Sequence, residues 1–305
     1  MKEVIFYDME EIQSFVDRQL NSWNLASQNY KDLYGVKRRS VSIGDFEATI
    51  QCNPARIIST AAKVNDGMPI SRPCFLCKKN RPSSQFEKVI FPGWEMLVNP
   101  YPIFPVHLTI VNSEHIPQSR MPEAIVDIAD CLPGMAVFFN GARAGASAPD
   151  HLHLQAVMKD ELPIVKIAET YHSDSDLSIR PSSDFNLDLP FLFYSGVVRK
   201  EFKDSQIIRT ALSLGGLSED GTLTDPTLVN SFFWKDNTGA LRFIIIPRKA
   251  HRPSCFFETD EAKRRLISPG CIDMAGVIIT PREKDFLQLT EKEIKKIFEQ
   301  VAIRQ

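Results

Sequence analysis

The stretch Asp150-His151-Leu152-His153-Leu154-Gln155 alternates polar and apolar residues. Because successive side chains of a β-strand point to opposite faces, the pattern predicts a strand with two histidines and a glutamine on one face and two leucines on the other. The leucines can then be buried in a core while the imidazoles and the amide face a ligand. We therefore expect the fold and the functional site to be organised around this stretch.

The residues just before this stretch, 140–149, are almost all small. Glycine and alanine leave room for a ligand to approach the backbone closely. Asn140, Ser147 and the backbone amides of Gly145 and Ala146 are candidate donors to a phosphate group. A strand with histidines that is entered from such a loop suits the handling of phosphate or of a metal ion.

The composition is that of a globular protein, with 43% hydrophobic residues and a net charge of −2 over 305 residues. This length allows one large domain or two fused smaller ones. The charges are well mixed, which argues against long nucleic acid as a partner but not against a small phosphorylated ligand. No apolar run approaches the roughly 20 residues that cross a membrane, and the first residues lack the features of a signal peptide, so we expect a cytoplasmic location.

Cys74 and Cys77 form a Cys-x-x-Cys pair. Two intervening residues let both sulfurs reach one ion, whereas redox pairs of the same spacing open a helix, for which the following Lys-Lys-Asn-Arg-Pro is a poor start. Unlinked thiols are the remaining alternative. With His115 and His151 the pair would complete a Cys₂His₂ set for a structural zinc ion, although no sequence rule brings these segments together.

His153 is then the histidine left for chemistry. A neutral imidazole can attack phosphorus if its other nitrogen is held by an acceptor, and attack on an α-phosphate would give a covalent nucleotidyl-histidine. Gln155 would hydrogen-bond a phosphate oxygen or the bridging oxygen. Because an amide gives up no proton there, it favours reversible transfer over hydrolysis. Without the loop and Gln155, a pair of structural strand histidines would be the better interpretation.

Several side chains elsewhere are candidates for binding the phosphates of a substrate. Asn53 and Arg56 follow a predicted strand, and the planar guanidinium of an arginine can grip a phosphate. In the C-terminal half, Arg248, Lys249 and His251 follow another predicted strand and are further candidates.

Hydrophobic periodicity predicts helices over residues 8–29, 121–132, 202–214 and 290–303, and strands over 37–52, 87–111, 135–139, 231–235, 241–246 and 274–280. Residues 108–117 and 244–253 both show an apolar strand, a polar turn and His-x-Pro. This echo predicts two copies of one unit, with chance similarity as the alternative. We expect a catalytic half over 1–160 and a degenerate half over 161–305. The second half has no histidine near Leu287, where the echo places the equivalent of the motif.

A His-x-His-x-Gln motif after a small-residue loop with a serine resembles the transferase branch of the histidine-triad superfamily. That branch holds galactose-1-phosphate uridylyltransferase, diadenosine tetraphosphate phosphorylase and GDP-L-galactose phosphorylase, and hydrolases of the superfamily have a third histidine where this chain has Gln155. The resemblance implies an α+β, duplicated histidine-triad-like fold with antiparallel sheets flanked by helices. It also implies that His153 is the nucleophile and that Gln155 and Ser147 contact phosphate.

The resemblance to the uridylyltransferases extends to the metal ligands. In those enzymes a Cys-x-x-Cys, a later histidine and the first histidine of the motif bind zinc in that chain order, which Cys74, Cys77, His115 and His151 match. However, Leu152 stands where those enzymes have proline. Residues 53–56, 99–102, 146–151 and 268–276 are instead similar to GDP-L-galactose phosphorylase.

The expected function is that of a nucleotidyltransferase or phosphorylase acting through His153. The nucleotide donor would be a nucleoside diphosphate-sugar or a dinucleoside polyphosphate, and the acceptor phosphate or a sugar phosphate. A non-catalytic regulator that binds a nucleotide or a metal on the same fold, and a hydrolase of nucleotide conjugates, are the alternatives. Because members of the family dimerise, a homodimer is compatible with the resemblance, and no membrane partner is expected.

Overall fold

The computed structural model describes residues 5–61, 72–172, 178–198 and 225–304. Its strands are β1 (Lys37–Ile43), β2 (Phe46–Cys52), β3 (Glu87–Phe91), β4 (Trp94–Val98), β5 (His107–Asn112), β6 (Met135–Asn140), β7 (His153–Met158), β8 (Arg180–Pro181), β9 (Tyr194–Val198), β10 (Val229–Lys235), β11 (Leu241–Pro247) and β12 (Val277–Thr280). Its α-helices are α1 (Met9–Ser22), α2 (Asn24–Leu33), α3 (Ile57–Thr60), α4 (Ala124–Asp130), α5 (Pro163–Tyr171), α6 (Cys271–Met274), α7 (Glu283–Gln288) and α8 (Glu291–Val301). The helix predicted over 202–214 lies outside the described residues.

Among the described residues, nine strands form one sheet in the order β3-β4-β5-β7-β6-β10-β11-β9-β8, with every neighbouring pair antiparallel. The order is the same on both sides of the central β6–β10 pair: β7, β5 and β4 follow outward from β6 as β11, β9 and β8 follow from β10. One row of paired residues crosses six strands: Thr109, Gln155, Phe138, Phe232, Ile244 and Ser195. Across the centre of this row, Gln155 and Ile244 occupy equivalent positions.

The sheet relates its two halves differently from the sequence echo. The echo aligned residues of β5 with residues of β11, but across the central pair β5 corresponds to β9 and β11 corresponds to β7. The alignment of 108–117 with 244–253 is therefore wrong, although the repeated strand order agrees with a duplicated unit. Short apolar runs carry too little information to fix which strand of a repeat they represent.

A smaller sheet packs against one face of the large one. In it β2 pairs antiparallel to β1 and parallel to β12, so it joins segments from before and after residue 160. Buried Phe46, Ile50 and Ile278 of this sheet belong to the same apolar cluster as Phe232 and Ile244 of the large sheet. The small sheet therefore covers the second half of the row described above.

The opposite face of the large sheet is covered by α1 and α4. Leu152 and Leu154 are buried there in one cluster with Phe15 of α1 and Ile125 of α4. The two leucines of the alternating stretch are thus in the core, as the sequence predicted. The architecture is α+β with a fully antiparallel main sheet, which confirms the predicted fold class.

Several predicted elements differ in their bounds. The helix predicted over 8–29 is two helices, because Trp23 adopts an extended conformation between α1 and α2. Residues 87–111 contribute three strands rather than two, and the strand predicted over 274–280 begins only at Val277, after α6. In the described part of the chain, no helix has the length and apolar character needed to span a membrane.

Candidate active site and adjoining metal centre

β7 begins at His153, so the first histidine of the motif lies outside the strand. The backbone N–H of His151 donates to the carbonyl of Ala148, and that of Leu152 donates to the carbonyl of Ile116. His153 and Gln155 both line one cavity, whereas His151 does not. The predicted shared face therefore holds for the second histidine and the glutamine only.

The four predicted metal ligands converge, with one donor atom from each lying within 4.8 Å of all the others. Cys74 Sγ is 3.4 Å and Cys77 Sγ is 3.6 Å from Nδ1 of His151. His115 Nδ1 lies 3.2 Å from Cys77 Sγ and 3.3 Å from His151 Nδ1. The chain thus brings together two sulfurs and two imidazole nitrogens from three separate segments.

These separations fit the donor set to a zinc ion. With Zn–S near 2.3 Å and Zn–N near 2.0–2.1 Å, the edges of a tetrahedron are roughly 3.3–3.8 Å. Nε2 of His151 donates to the carbonyl of Asn112 at 2.8 Å, which leaves Nδ1 bare for a metal. Such an outer hydrogen bond commonly orients a ligating histidine. Cys74 and His151 are buried, as suits a structural site.

The Cys-x-x-Cys turn is fixed to the main sheet. Asn80 Nδ2 donates to the carbonyl of Cys74 at 2.8 Å, and Arg81 Nε donates to the carbonyl of Leu76 at 2.8 Å. The buried Arg81 guanidinium also pairs with Glu95 of β4 at 2.6 Å. These contacts place both thiols beside His151, just before β7 begins.

Of the two ring nitrogens of His153, Nδ1 is held by a hydrogen bond and Nε2 is left for a ligand. Its Nδ1 lies 2.7 Å from the carbonyl oxygen of His151, and because a carbonyl only accepts, Nδ1 carries the proton. Burial lowers the pKa of His153 to about 4. The ring is therefore neutral near pH 7, with Nε2 unprotonated. This is the state that a phosphorus nucleophile requires.

Gln155 is held by two residues that were not among the predicted site residues. Its Oε1 lies 2.8 Å from Nε2 of His107 and 3.4 Å from Nδ2 of Asn99. His107 is the first residue of β5 and is fully buried. Asn99 could have been found from the Asn-Pro-Tyr-Pro segment, whereas nothing in the sequence distinguishes His107, which begins an apolar strand.

A cavity of about 510 Å³ opens beside His153 and Gln155. Other predicted residues also line it: Arg56, Asn140, Gly145, Ala146 and Ser147. The wall includes an apolar part with Trp23, Leu25, Phe75, Leu76 and Leu97. Its size and mixed lining suit a small organic ligand with one apolar and one charged end.

Asn53 does not line this cavity but holds one of its walls. Its Nδ2 donates to the carbonyl of Pro102 at 3.0 Å, and Gln51 Nε2 donates to the carbonyl of Ile103 at 3.1 Å. Arg56 Nη1 donates to the carbonyl of Tyr101 at 2.8 Å. Three side chains at the end of β2 thus fix three successive carbonyls of the loop before β5, and only Arg56 also reaches the cavity.

Arg248 and Lys249, both predicted to bind phosphate, lie outside the cavity lining. Arg248 is almost fully buried, and its guanidinium donates to the carbonyls of Val301, Pro269 and Ala250. It also donates to the side chain of Asn230. Its donors are therefore used in packing the C-terminal segment. Lys249, the next residue, is exposed.

The C-terminal half contributes the predicted His251 to the cavity, together with residues that were not predicted, among them Arg252, Ser268 and Asp273. Arg252 Nε donates to Ser268 Oγ at 2.9 Å. Burial raises the pKa of Asp273 to about 6, although its carboxylate accepts from the N–H groups of Gly270 and Ile279. The arginine of this segment that reaches the cavity is therefore Arg252, four residues after Arg248.

A family model described as a domain of unknown function (DUF4922) matches residues 15–158. The matched region ends with β7 and includes the four converging ligands and the His-x-His-x-Gln motif. No protein of curated function matches the sequence.

Crystal structures of yeast Ap4A phosphorylase Apa2 are similar to this chain. One matches at 15% identity with a TM-score of 0.56, covering 91% of this chain and 94% of the yeast chain. The structure with Ap4A matches at 15% identity with a TM-score of 0.52, covering 92% of this chain and 98% of the yeast chain. The structure with AMP matches at 12% identity with a TM-score of 0.50, covering 90% of this chain and 95% of the yeast chain.

The chain has the fold of yeast Ap4A phosphorylase. This likeness spans nearly the whole of both chains, so it includes the second half of the main sheet as well as the half with the motif. The fold resemblance predicted from His-x-His-x-Gln is confirmed.

Proposed function

We infer that this protein is a nucleotidyltransferase of the phosphorylase type that forms a covalent nucleotidyl-histidine on His153. The observation that carries this proposal is the state of His153: Nδ1 is committed to the carbonyl of His151, and the neutral ring lines a ligand-sized cavity. The fold shared with yeast Ap4A phosphorylase supports the same reaction class.

In the first step Nε2 of His153 attacks the α-phosphorus of the donor. The Nε2–P bond forms as the bond from phosphorus to the bridging oxygen breaks, and the leaving phosphate takes that electron pair. The ring then carries a positive charge, which the carbonyl of His151 stabilises through the hydrogen bond from Nδ1. Gln155, Ser147 and Arg56 line the same cavity and would donate to the phosphate oxygens.

In the second step an oxygen of inorganic phosphate or of a sugar phosphate attacks the same phosphorus. The P–O bond forms, the Nε2–P bond breaks, and His153 returns to its neutral form. Nucleoside diphosphate-sugars and dinucleoside polyphosphates are the proposed donors. The apolar wall with Trp23, Leu25 and Phe75 suits a base, and Arg252 suits the far phosphate.

The metal centre supports this chemistry from outside the cavity. A zinc ion held by Cys74, Cys77, His115 and His151 would crosslink three segments and so fix the backbone. Because His151 provides the carbonyl that sets the tautomer of His153, the clamp positions the nucleophile. Residues 1–160 would supply the chemistry and 161–305 the opposite cavity wall, with the homodimer and the cytoplasmic location as accompanying proposals.

The test is to incubate the protein with α-³²P-labelled donors, both nucleoside diphosphate-sugars and Ap4A, without an acceptor. We expect an acid-labile label on the wild type, none on His153→Ala, and wild-type labelling of His172→Gln, a buried histidine outside the cavity lining. Added phosphate should discharge the label as nucleoside diphosphate. Equal labelling of wild type and His153→Ala would overturn the covalent mechanism, and discharge by water alone would favour the hydrolase.

A further inference from the structure

The side chain of Gln155 has one orientation that its neighbours allow. An amide can present its oxygen or its NH₂ group to a ligand, and the two choices recognise opposite chemistry. Which group faces the cavity depends on what occupies the other side, where His107 and Asn99 lie.

The proton position on His107 follows from its two partners. The backbone N–H of Ile103 donates to Nδ1 of His107 at 3.2 Å, so Nδ1 must be bare. In the neutral ring the proton is then on Nε2, which donates to Gln155 Oε1 at 2.8 Å. The other tautomer would place an N–H of the ring against the N–H of Ile103, donor to donor.

His107 is kept neutral by its surroundings. The ring is fully buried, and burial together with the charge of Arg56 lowers its pKa to about 3. It therefore offers Gln155 a fixed donor across the working pH range.

The carboxamide of Gln155 consequently accepts on one side only. Its Oε1 receives the proton of His107 Nε2 and a second, longer hydrogen bond from Asn99 Nδ2 at 3.4 Å. A flipped amide would place NH₂ against both donors and leave a half-buried polar group without acceptors, which is unfavourable because the lost hydrogen bonds are not replaced.

We propose that His107 is a positioning residue that locks Gln155 with its NH₂ group facing the cavity, so that Gln155 acts only as a hydrogen-bond donor to the transferred phosphoryl group. This inference rests on the proposed function for the identity of the ligand. The lock explains why this position favours phosphate oxygens and a departing bridging oxygen, and rejects a ligand that presents a hydroxyl proton there.

The chain offers a matched pair of substitutions as a test. In His107→Gln the side-chain NH₂ can replace Nε2 as the donor to Gln155, whereas in His107→Asn the oxygen can replace Nδ1 as the acceptor for Ile103 but no donor reaches Gln155. We expect His107→Asn to lower kcat by about 10–100-fold with little change in KM, because a donor that strengthens in the transition state is misplaced. His107→Gln should stay close to wild type.

Both variants are to be compared by circular dichroism and thermal melting before the kinetics. Equal losses in the two variants, or no loss in either, would show that the hydrogen bond to Gln155 does not act in the reaction, and the proposal would be wrong.

A second measurement requires no turnover and so separates this proposal from the proposed function. In protein labelled with ¹⁵N-histidine, the His107 signals are assigned by their loss in His107→Gln. We expect a neutral ring with the proton on Nε2 at pH 7. A proton on Nδ1, or a charged ring, would overturn the lock even if the enzyme is active. The expected tautomer in a protein that transfers no nucleotide would instead refute only the proposed function.

Discussion

Equivalent positions in the two halves of the main sheet carry different side chains in different surroundings. Gln155 on β7 corresponds to Ile244 on β11, and two residues earlier His153 corresponds to Arg242. His153 and Gln155 line an open cavity. Ile244 is fully buried beneath the small sheet, and Arg242 is buried in an ion pair with Asp236 at 2.5 Å.

This difference shows that the repeated strand order alone does not create a ligand site. Both halves bring a polar residue to the start of the equivalent strand, but in the second half its donors are used internally: Arg242 Nη1 donates to the carbonyl of His172 at 2.8 Å. In the first half Gln155 lines the cavity, and His151 lies beside Cys74, Cys77 and His115 instead. A nucleophilic site needs both a side-chain nitrogen that is not used in internal hydrogen bonds and a face of the sheet that is open to a ligand.

The largest expected effect is the loss of nucleotide transfer when the histidine of the first half is removed. His153→Ala should lower the rate of nucleotide transfer on the order of 10⁴-fold or more, because the covalent route is lost. The rate is measured as nucleoside diphosphate formed from a labelled donor and phosphate. A residual rate within tenfold of wild type would mean that the first half does not provide the nucleophile.

Arg242→Met should instead affect stability. It leaves the Asp236 carboxylate buried without its partner, which costs about 3–5 kcal/mol for a buried pair. Urea unfolding measures this loss, and the folded fraction should retain wild-type kcat. A folded Arg242→Met protein that cannot transfer nucleotide would contradict the assignment of the second half to support.

Metal removal tests the clamp on the first half. We expect about one zinc per chain after purification without added metal and none in Cys77→Ser, since a structural site needs its full ligand set. The variant should lose about 3 kcal/mol or more of unfolding free energy, because structural zinc is bound with about 10–16 kcal/mol in small domains. Cys255→Ser, which removes a thiol outside the ligand set, is the control and should keep both metal and stability.

Gln155→His tests whether this residue determines if phosphate or water accepts the nucleotidyl group. A third histidine can donate a proton that an amide cannot, so the share of nucleoside monophosphate among the products should rise about 10-fold or more relative to nucleoside diphosphate, within the usual range for a general acid. Chromatography of the products at fixed phosphate concentration gives the ratio. An unchanged ratio would mean that water is excluded by other residues.

The smallest effect is expected at the mirror position of Gln155. Ile244→Val removes one buried methylene group and should cost about 0.5–1.5 kcal/mol in denaturant unfolding without changing the rate of transfer. A loss of rate in this variant would show that the two halves are coupled through the sheet.

Much of the site was predictable from residue types and order. Cys74, Cys77, His115 and His151 match a zinc set because ligand chemistry restricts the residues that can serve. His153 and Gln155 share a face because a strand has a period of two, and this property is local. The predicted helix over 8–29 failed in part because a single extended residue, Trp23, is not visible in hydrophobic periodicity.

The residues that were misassigned or missed have partners far away in sequence. Asn53 and Arg248 look free in the sequence, but the structure occupies them with carbonyls from residues 102, 269 and 301. His107 looks like a strand residue, but it meets Gln155 across β5 and β7.

The sequence by itself therefore determined which side chains share one face of β7, through local periodicity, and which residues could serve as metal ligands, through their identity. The α+β fold was implied by the resemblance of the motif to a known superfamily. Only the tertiary structure decided which half of the sheet stays open, which nitrogen of each histidine carries the proton, and which cations reach the cavity. The physical reason is that a hydrogen bond is satisfied by whichever partner lies within about 3 Å, and in a folded chain that partner is set by packing rather than by sequence distance.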